Sequence, residues 1–285
     1  MTLPAPGPHE ADEHDLAAHD HAHLLAISVG NTSTRLGVFH GRELARSVRL
    51  LNAAPQPLLE QLVHLAQALP RSGSHTSAAV IASVNDKIAQ TIAEELQRRT
   101  SVAVVRLGRD LEIPIERALW PDATPGQDRL LNALGAFDAL NQACVIVDAG
   151  TALTVDFVDG EGVFQGGAIA PGAGLMLRAL HAHTAALPDV PLARPDLAQA
   201  FGKNTAESIR AGVFFMLRGG VRALVERYAE AYEAYPPVIA TGGDAALLFE
   251  DDELIDRVVP DLTLRGVEAA WRRSMSAGDL EPDQP

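Results

Sequence analysis

The chain contains one short phrase twice, 120 residues apart. Residues 24–39 read LLAISVGNTSTRLGVF, and residues 144–159 read CVIVDAGTALTVDFVD. Each copy has an apolar run, a turn with glycine and a second apolar run, which predicts a β-hairpin. Gly30 matches Gly150, whereas Ser28 in the first copy matches Asp148 in the second. The repeat therefore predicts a duplicated α/β unit in which only the second turn follows a carboxylate.

The residue types in both turns suit phosphate oxygens. Glycine lets the backbone approach a ligand closely, and the neighbouring Asn and Thr side chains supply amide and hydroxyl donors. A single turn of this kind more often only reverses the chain. Two such turns at matched positions predict two phosphate-facing hairpins, one on each side of a cleft.

The rest of the chain alternates between helical and strand patterns. Residues 56–69 and 86–100 predict helices, and residues 78–84 and 102–107 predict strands. Residues 114–126, with three prolines before Gly126, predict a linker that leads into a helix over 128–140. This alternation is typical of an α/β protein, and a chain of 285 residues that is 47% hydrophobic can bury two cores.

The two ends differ in composition from the middle. Residues 1–23 hold five acids, five histidines and no Lys or Arg. The histidines have no fixed ligand spacing, so the composition predicts a disordered His- and acid-rich tail rather than a metal site. The expected organisation is this tail, an N-terminal half over 24–125, a C-terminal half over 126–275 and a second disordered tail over 276–285.

Charge and hydropathy exclude several classes of protein. The net charge is −14, and eight acids lie in the two tails, which leaves −6 for residues 24–275. That balance offers no basic surface for nucleic acid. No apolar run approaches the ~18 residues of a membrane span, and no signal peptide precedes the first hairpin. The single cysteine, Cys144, lies on a predicted buried strand, so we expect a cytoplasmic protein without an internal disulfide.

Asp128 and Arg129 begin the helix predicted over 128–140. The free N–H groups and the dipole of a helix N-terminus favour an anion there. One interpretation is an acid that stabilises the helix beside a surface charge, which is the default for an isolated Asp-Arg pair. The other interpretation is a catalytic base beside an anion clamp.

Further motifs follow in a specific order. They are GGAIAPG at 166–172, HTAALP at 183–188, FGKNTAESIRAG at 201–212 and IATGGDA at 239–245. Together with GQDR at 126–129 and DAGTALT at 148–154, they resemble the motifs of type III pantothenate kinases, which belong to the acetate kinase, sugar kinase, Hsp70 and actin superfamily. The resemblance extends over about residues 24–268.

The resemblance implies an α/β fold of two duplicated ribonuclease H-like domains, the actin-like ATPase fold, with a cleft between them. It implies ATP-dependent phosphorylation of pantothenate to 4'-phosphopantothenate, the first step of coenzyme A biosynthesis. It also implies Mg²⁺, a monovalent cation (K⁺ or NH₄⁺) and a homodimer.

Individual roles follow from the same resemblance. Asp128 would be the general base, with Gly126, Gln127 and Arg129 around the pantothenate. Thr184 would reach the pantothenate of a neighbouring subunit, and Asp148 would bind the monovalent cation. The residues expected to contact ATP are Ser28, Val29, Gly30, Asn31, Thr32, Ser33, Thr34, Arg35, Thr151, Gly242 and Gly243.

The chain departs from the family pattern at two positions. Ser28 replaces the Asp of the first phosphate motif, and Leu119, followed by Trp120, replaces a Tyr. A serine hydroxyl is a poorer ligand than a carboxylate for a hard cation. Three interpretations stay open: an active pantothenate kinase, a weakened or inactive homologue that serves as a binding or regulatory (transcription accessory) protein, and a kinase for another small hydroxyl substrate. Recovery of activity with Ser28→Asp would favour the second, and a different acceptor would favour the third.

Overall fold

The computed structural model describes residues 23–70 and 77–276. The predictions for the two tails fall almost wholly outside this range. At the two boundaries, His23 begins the first strand and Ser276 ends the last helix.

The first sheet contains five strands in the order β3-β2-β1-β4-β5. Strands β1, β2 and β3 form an antiparallel meander, and β4 and β5 run parallel to β1. The bounds are β1 His23–Val29, β2 Ser33–His40, β3 Glu43–Leu51, β4 Ser77–Ser83 and β5 Ala103–Arg106.

The second sheet repeats this arrangement in the order β8-β7-β6-β9-β10, with an antiparallel meander followed by two parallel strands. Strands β6 and β7 are the second copy of the repeated hairpin, so the duplication seen in the sequence extends to whole sheets. The fold is α/β with two duplicated ribonuclease H-like domains, which confirms the predicted fold class. The bounds are β6 Cys144–Ala149, β7 Ala152–Val158, β8 Phe164–Pro171, β9 Val238–Thr241 and β10 Arg257–Val258.

Helices connect the strands and cover both sheets. The helices and strands expected from the sequence between residues 56 and 140 are present with shifts of at most one residue at their ends. The bounds are α1 Pro55–Ala68, α2 Asp86–Arg99, α3 Gln127–Leu140, α4 Ala173–Ala182, α5 Thr205–Tyr232, α6 Ala245–Phe249 and α7 Leu262–Ser276.

The helices and sheets stack in five layers. Helices α1 and α2 cover the outer face of the first sheet, and α4, α5 and α6 cover the outer face of the second. Helices α3 and α7 fill the space between the sheets. Strand β1 shows why both faces are covered: Leu25 and Ile27 point into the outer core, while Leu24 and Ala26 point into the central core. A strand that is buried on both faces needs this continuous apolar run.

The central layer is held by a close crossing of α3 and α7. A Cβ atom on Gly135 of α3 would lie 2.9 Å from both the Leu262 carbonyl oxygen and the Gly266 amide nitrogen. A Cβ atom on Gly266 of α7 would collide with the Leu131 carbonyl. Only glycine at both positions lets the two backbones touch. Helix α7 follows the second sheet in sequence and packs on β1, β2 and β4 of the first, while the exact boundary between the halves stays a prediction.

Cys144 is buried at the start of β6, as expected for that strand. Within residues 23–70 and 77–276, no helix combines the length and the apolar character needed to cross a bilayer.

The glycine crossing gives the first prediction. Gly266→Ala places a methyl group against the Leu131 backbone, and such overpacking costs about 1–3 kcal/mol in the free energy of unfolding. Gly219→Ala is the matched control, because Gly219 lies in α5 with open space around its Cα. There we expect a gain of about 0.5–1 kcal/mol, since alanine favours the helix. Urea denaturation measures both changes in the free energy of unfolding. Equal effects of the two substitutions would contradict the close crossing.

Candidate functional site

The two repeated turns face each other across a cleft. In the first turn Gly30 donates its amide hydrogen to the Ser33 carbonyl at 3.0 Å, and in the second Gly150 donates to the Ala152 carbonyl at 2.9 Å. The Thr32 and Thr151 hydroxyl oxygens lie 3.2 Å apart across the gap. The cleft has a volume of about 190 Å³, and its walls come from both sheets and from α3.

Most residues predicted to contact ATP line this cleft. So do Asp128, from the first turn of α3, and Asp148, from the end of β6. The predicted residues in the lining are Ser28, Gly30, Asn31, Thr32, Ser33, Arg35, Asp128, Asp148, Thr151, Gly242 and Gly243.

Two predicted ATP contacts lie below the surface instead. Val29 is in the outer core of the first sheet, and Thr34 is fully buried. The Thr34 hydroxyl donates to Asn52 Oδ1 at 2.8 Å, and Asn52 Nδ2 donates to the Gly30 carbonyl at 2.8 Å. These side chains support the turn from beneath.

Asp148 is held by a chain of hydrogen bonds between β6 and the central helices. Asn132 Nδ2 of α3 donates to Asp148 Oδ2 at 2.8 Å, and the Thr263 hydroxyl of α7 donates to Asn132 Oδ1 at 2.7 Å. Desolvation raises the pKa of Asp148 to about 6, against the lowering effect of the Asn132 bond, and Asp128 adds repulsion. The other oxygen, Oδ1, faces the Gly242 turn, where a Cβ atom would come within 2.5 Å of it.

Asp128 is fixed by its own helix. Its Oδ1 accepts a hydrogen bond from the Arg129 amide at 2.8 Å, so the carboxylate satisfies one of the free N–H groups at the start of α3. A Cβ atom on the preceding Gly126 would lie 2.5 Å from the same oxygen. Gly126 thus leaves room for the Asp128 carboxylate, whose Oδ2 accepts no hydrogen bond from a described residue.

Arg129 does not line the cleft, and it pairs with Asp156 on β7. Its Nε lies 3.0 and 3.1 Å from the two Asp156 oxygens, and Nη2 also bonds to Oδ1. Asp156 is buried, and desolvation raises its pKa although Arg129 pulls it down. The guanidinium also lies over the Phe164 ring, 5.5 Å from its centre. The Arg129 head group is therefore fixed by the second sheet.

Gln127 ties α3 to the first sheet. Its Oε1 accepts from the Ser83 amide at 3.0 Å, and its Nε2 donates to the Leu107 carbonyl at 3.0 Å. These two bonds attach the ends of β4 and β5 to the first turn of α3. Gln127 lines a neighbouring cavity rather than the cleft that holds Asp128.

Thr184 lies outside the cleft as well. It lines an apolar groove of about 870 Å³ between α4 and α5, together with Leu175, Met176, Val213 and Met216. Its hydroxyl donates to the Leu180 carbonyl at 2.6 Å. Within one chain, Thr184 is therefore not brought to Asp128.

Several residues of the site were not predicted from the sequence. Arg49, Thr241 and Thr263 line the cleft, while Asn132 and Asp156 hold Asp148 and Arg129. The sequence contained one signal that could have identified Asn132, which lies one turn after Asp128 on the same helix face. Arg49 on β3 belongs to no sequence motif, so nothing in the sequence marked it. Among the described residues, no group of three or more His, Cys, Asp or Glu side chains is arranged to hold a metal ion.

Comparison with known proteins relates this chain to one family. The family model for type III pantothenate kinase matches residues 24–227. The chain is similar to a type III pantothenate kinase of Phenylobacterium zucineum, at 33% identity over 256 residues that cover 89% of this chain and 99% of the relative. It is also similar to one of Maricaulis maris, at 34% identity with coverage of 87% and 97%.

Solved structures agree on the fold. A conserved protein assigned to the Baf family of transcriptional activators, from Campylobacter jejuni, has a TM-score of 0.55 at 17% identity, covering 90% of this chain and 100% of that one. The ethanolamine utilization protein EutJ of Carboxydothermus hydrogenoformans has a TM-score of 0.50 at 14% identity, with coverage of 94% and 92%. At these identities the likeness concerns the fold alone.

The Arg129–Asp156 pair gives a second prediction. Arg129→Ala leaves the buried Asp156 carboxylate without its partner, so we expect a loss of about 3–5 kcal/mol in the free energy of unfolding. Arg42→Ala is the control, because the Arg42 side chain is 61% exposed in its pair with Asp138 and should cost less than about 1 kcal/mol. Adding Asp156→Asn to Arg129→Ala should recover part of the loss. Similar costs for Arg129→Ala and Arg42→Ala in urea denaturation would disprove the buried pair.

The raised pKa of Asp148 gives a third prediction. Its carboxyl binds a proton more tightly in the folded chain, with a pKa of about 6, than in the unfolded chain, with a pKa of about 3.9. Its contribution to stability is thus present below about pH 4 and lost as the pH rises through 6. The neutral Asp148→Asn variant avoids that loss.

Thermal midpoints between pH 4 and 8, in buffer without K⁺ or NH₄⁺, measure this effect. We expect Asp148→Asn to match the unsubstituted protein near pH 4 and to melt at a higher temperature above pH 7. A difference that does not change with pH would contradict the assignment to Asp148.

Proposed function

This chain belongs to the type III pantothenate kinase family, and we propose that its cleft transfers the terminal phosphoryl group of ATP to the hydroxyl of pantothenate. The product is 4'-phosphopantothenate, in the first step of coenzyme A biosynthesis. The observation that supports this reaction best is the meeting of two glycine turns with a carboxylate, Asp128, at one cleft.

The two turns suit the triphosphate. Phosphoryl transfer requires positioning and neutralisation of charge more than covalent chemistry by the protein. The backbone at Gly30 and Gly150 leaves room for phosphate oxygens, and the Asn31, Thr32 and Thr151 side chains supply donors. Ser28 to Arg35, Thr151, Gly242 and Gly243 are the proposed ATP contacts, with Val29 and Thr34 acting from below.

Asp128 is the proposed general base. Its Oδ1 is used by the Arg129 amide, so Oδ2 is the oxygen that takes the proton of the acceptor hydroxyl. The hydroxyl oxygen then bonds to the γ-phosphorus as the bond from that phosphorus to the β-phosphate bridging oxygen breaks, and ADP leaves. Because α3 fixes the carboxylate, the base needs no rearrangement before the attack.

The oxygen donors in the cleft fit the cations that the family implies. Hard cations such as Mg²⁺ bind oxygen and use one or two carboxylates together with substrate phosphates. Asp148 is the proposed ligand of the monovalent cation, K⁺ or NH₄⁺, since Asn132 holds one of its oxygens and the other faces the cleft. When bound, Mg²⁺ would neutralise charge on the phosphates. Ser28 contributes a hydroxyl at a position where a carboxylate would bind a hard cation more strongly.

Gly126, Gln127 and Arg129 are the proposed pantothenate contacts. Arg129 has one guanidinium nitrogen, Nη1, outside its pair with Asp156, and this nitrogen could donate to the pantothenate carboxylate. Leu119 packs beside Gly166, where a Cβ atom would lie 3.1 Å from Leu119 Cδ2. The position that holds Tyr in the family therefore presents an apolar side chain here.

We also propose a homodimer that uses the apolar groove between α4 and α5. Leu175, Phe215 and Met216 are 41%, 53% and 68% exposed on these helices. A second copy that covers this face would remove them from water, and it would bring Thr184 toward the partner's cleft. A cytoplasmic location stays a prediction. The likeness to the Baf family protein concerns the fold alone and gives the regulatory alternative no support.

The kinase reaction is tested by ADP release from purified protein with ATP, Mg²⁺, K⁺ and pantothenate. We expect turnover that requires pantothenate and falls about 10²–10⁴-fold with Asp128→Asn, because the variant keeps an oxygen acceptor for the Arg129 amide but loses the base. Asp122→Asn, a neutralised exposed carboxylate in the preceding loop, is the matched control and should leave the rate unchanged.

Absence of turnover by folded protein would contradict the proposal. Recovery of activity by Ser28→Asp would then identify a weakened kinase, and turnover with another small alcohol in place of pantothenate would identify a different acceptor.

A further inference from the structure

Two arginines line the cleft, and they differ in their partners. Arg35 is engaged: its Nη1 donates to the Pro260 carbonyl at 2.5 Å and to Asp261 Oδ1 at 3.1 Å. Arg49 lines the same cleft but pairs with no carboxylate within the described residues. Its Nε donates to the Ser33 hydroxyl at 2.9 Å. Arg49 therefore brings to the cleft a positive charge that forms no ion pair with a described residue.

The position of Arg49 links the two halves. It lies on β3, directly across from Arg35 of β2, and its Nε contact holds it beside the first phosphate turn. Its guanidinium reaches the turn after β9, where a Cβ atom on Gly243 would lie 2.6 Å from Nη1. Gly243 thus leaves the space that the guanidinium occupies, and Arg49 bridges Ser33 of the first half and Gly243 of the second.

The surrounding charges leave Arg49 available to an anion. The carboxylates in the cleft lining are Asp128 and Asp148. Asp148 is held by Asn132, and Asp128 accepts a hydrogen bond from the Arg129 amide. Asp244 follows Gly243, and Arg49 lowers its pKa against the larger raising effect of burial, without forming an ion pair. At the first turn, Ser28 adds no negative charge that would compete with phosphate for the guanidinium.

We propose that Arg49 is a further phosphate-binding residue, whose guanidinium binds the β- and γ-phosphate oxygens of the nucleotide from the side of the first sheet. This proposal rests on the proposed kinase function. A guanidinium suits the role because its planar donors match phosphate oxygens in a two-pronged geometry. Arg49 contacts Ser33 in the first half and lies beside Gly243 in the second, so a nucleotide bound through Arg49 would also hold the two halves together.

Binding of ATP, ADP and AMP, each with Mg²⁺, by isothermal titration calorimetry tests this role. Hydrogen bonds to a charged group contribute enough that Arg49→Ala should weaken ATP binding about 10- to 100-fold. It should weaken ADP binding less and leave AMP binding unchanged. Arg49→Lys should recover part of the ATP affinity. Arg46→Ala is the matched control, because Arg46 lies on the same strand, is exposed and does not line the cleft.

The outcomes separate the two proposals. If the unsubstituted protein binds ATP and Arg49→Ala binds it equally well, the role of Arg49 is wrong and the kinase function stands. An equal loss for AMP and ATP also overturns the role, since it points to a distorted cleft rather than a lost phosphate contact. If the unsubstituted protein binds no ATP, the kinase function fails and the role of Arg49 fails with it.

Discussion

The contact on which the rest of the structure depends is the crossing of α3 and α7 at Gly135 and Gly266. It sets the distance between the two sheets, and that distance decides whether the two glycine turns can face each other. Helix α3 also carries Asp128, so the same contact positions the proposed base between the turns. The crossing buries backbone against backbone, and any side chain at either glycine would push the sheets apart. Packing at the centre thus determines geometry at the cleft.

Two carboxylates of the second sheet reach this cleft region at a cost in stability. Asp148 and Asp156 are both desolvated, and both have raised pKa values. The chain offsets the cost with specific partners, Asn132 for Asp148 and Arg129 for Asp156, and both partners come from α3. One helix therefore carries the proposed base and holds two further acids in place. This arrangement is consistent with a site whose chemistry depends on fixed charges.

The sequence was sufficient for the duplicated hairpins, because the repeat and its glycines are local patterns, and for α3, whose start follows a proline-rich loop. It was insufficient for pairs formed by tertiary packing. No sequence pattern indicates that the Nε and Nη2 atoms of Arg129 pair with Asp156 on another element. Thr34 looked like a donor in the turn, but the strand alternation buries it. Arg49 was missed because an isolated arginine on a strand has no motif, and only the pairing of β2 with β3 brings it to the cleft.

The duplication also has a consequence for how a ligand can lie in the cleft. The two turns share a glycine and hydroxyl side chains, although the second joins its strands with one residue fewer. These shared donors alone would do little to decide which way a phosphate chain lies. The charged side chains remove that choice. Arg35 and Arg49 come from the first sheet, and strand pairing places Thr154 and Ile169 at the corresponding positions of the second. Asp148 of the second sheet stands where the first has Ser28. Charge therefore gives this cleft a polarity that the shared turn motif does not supply.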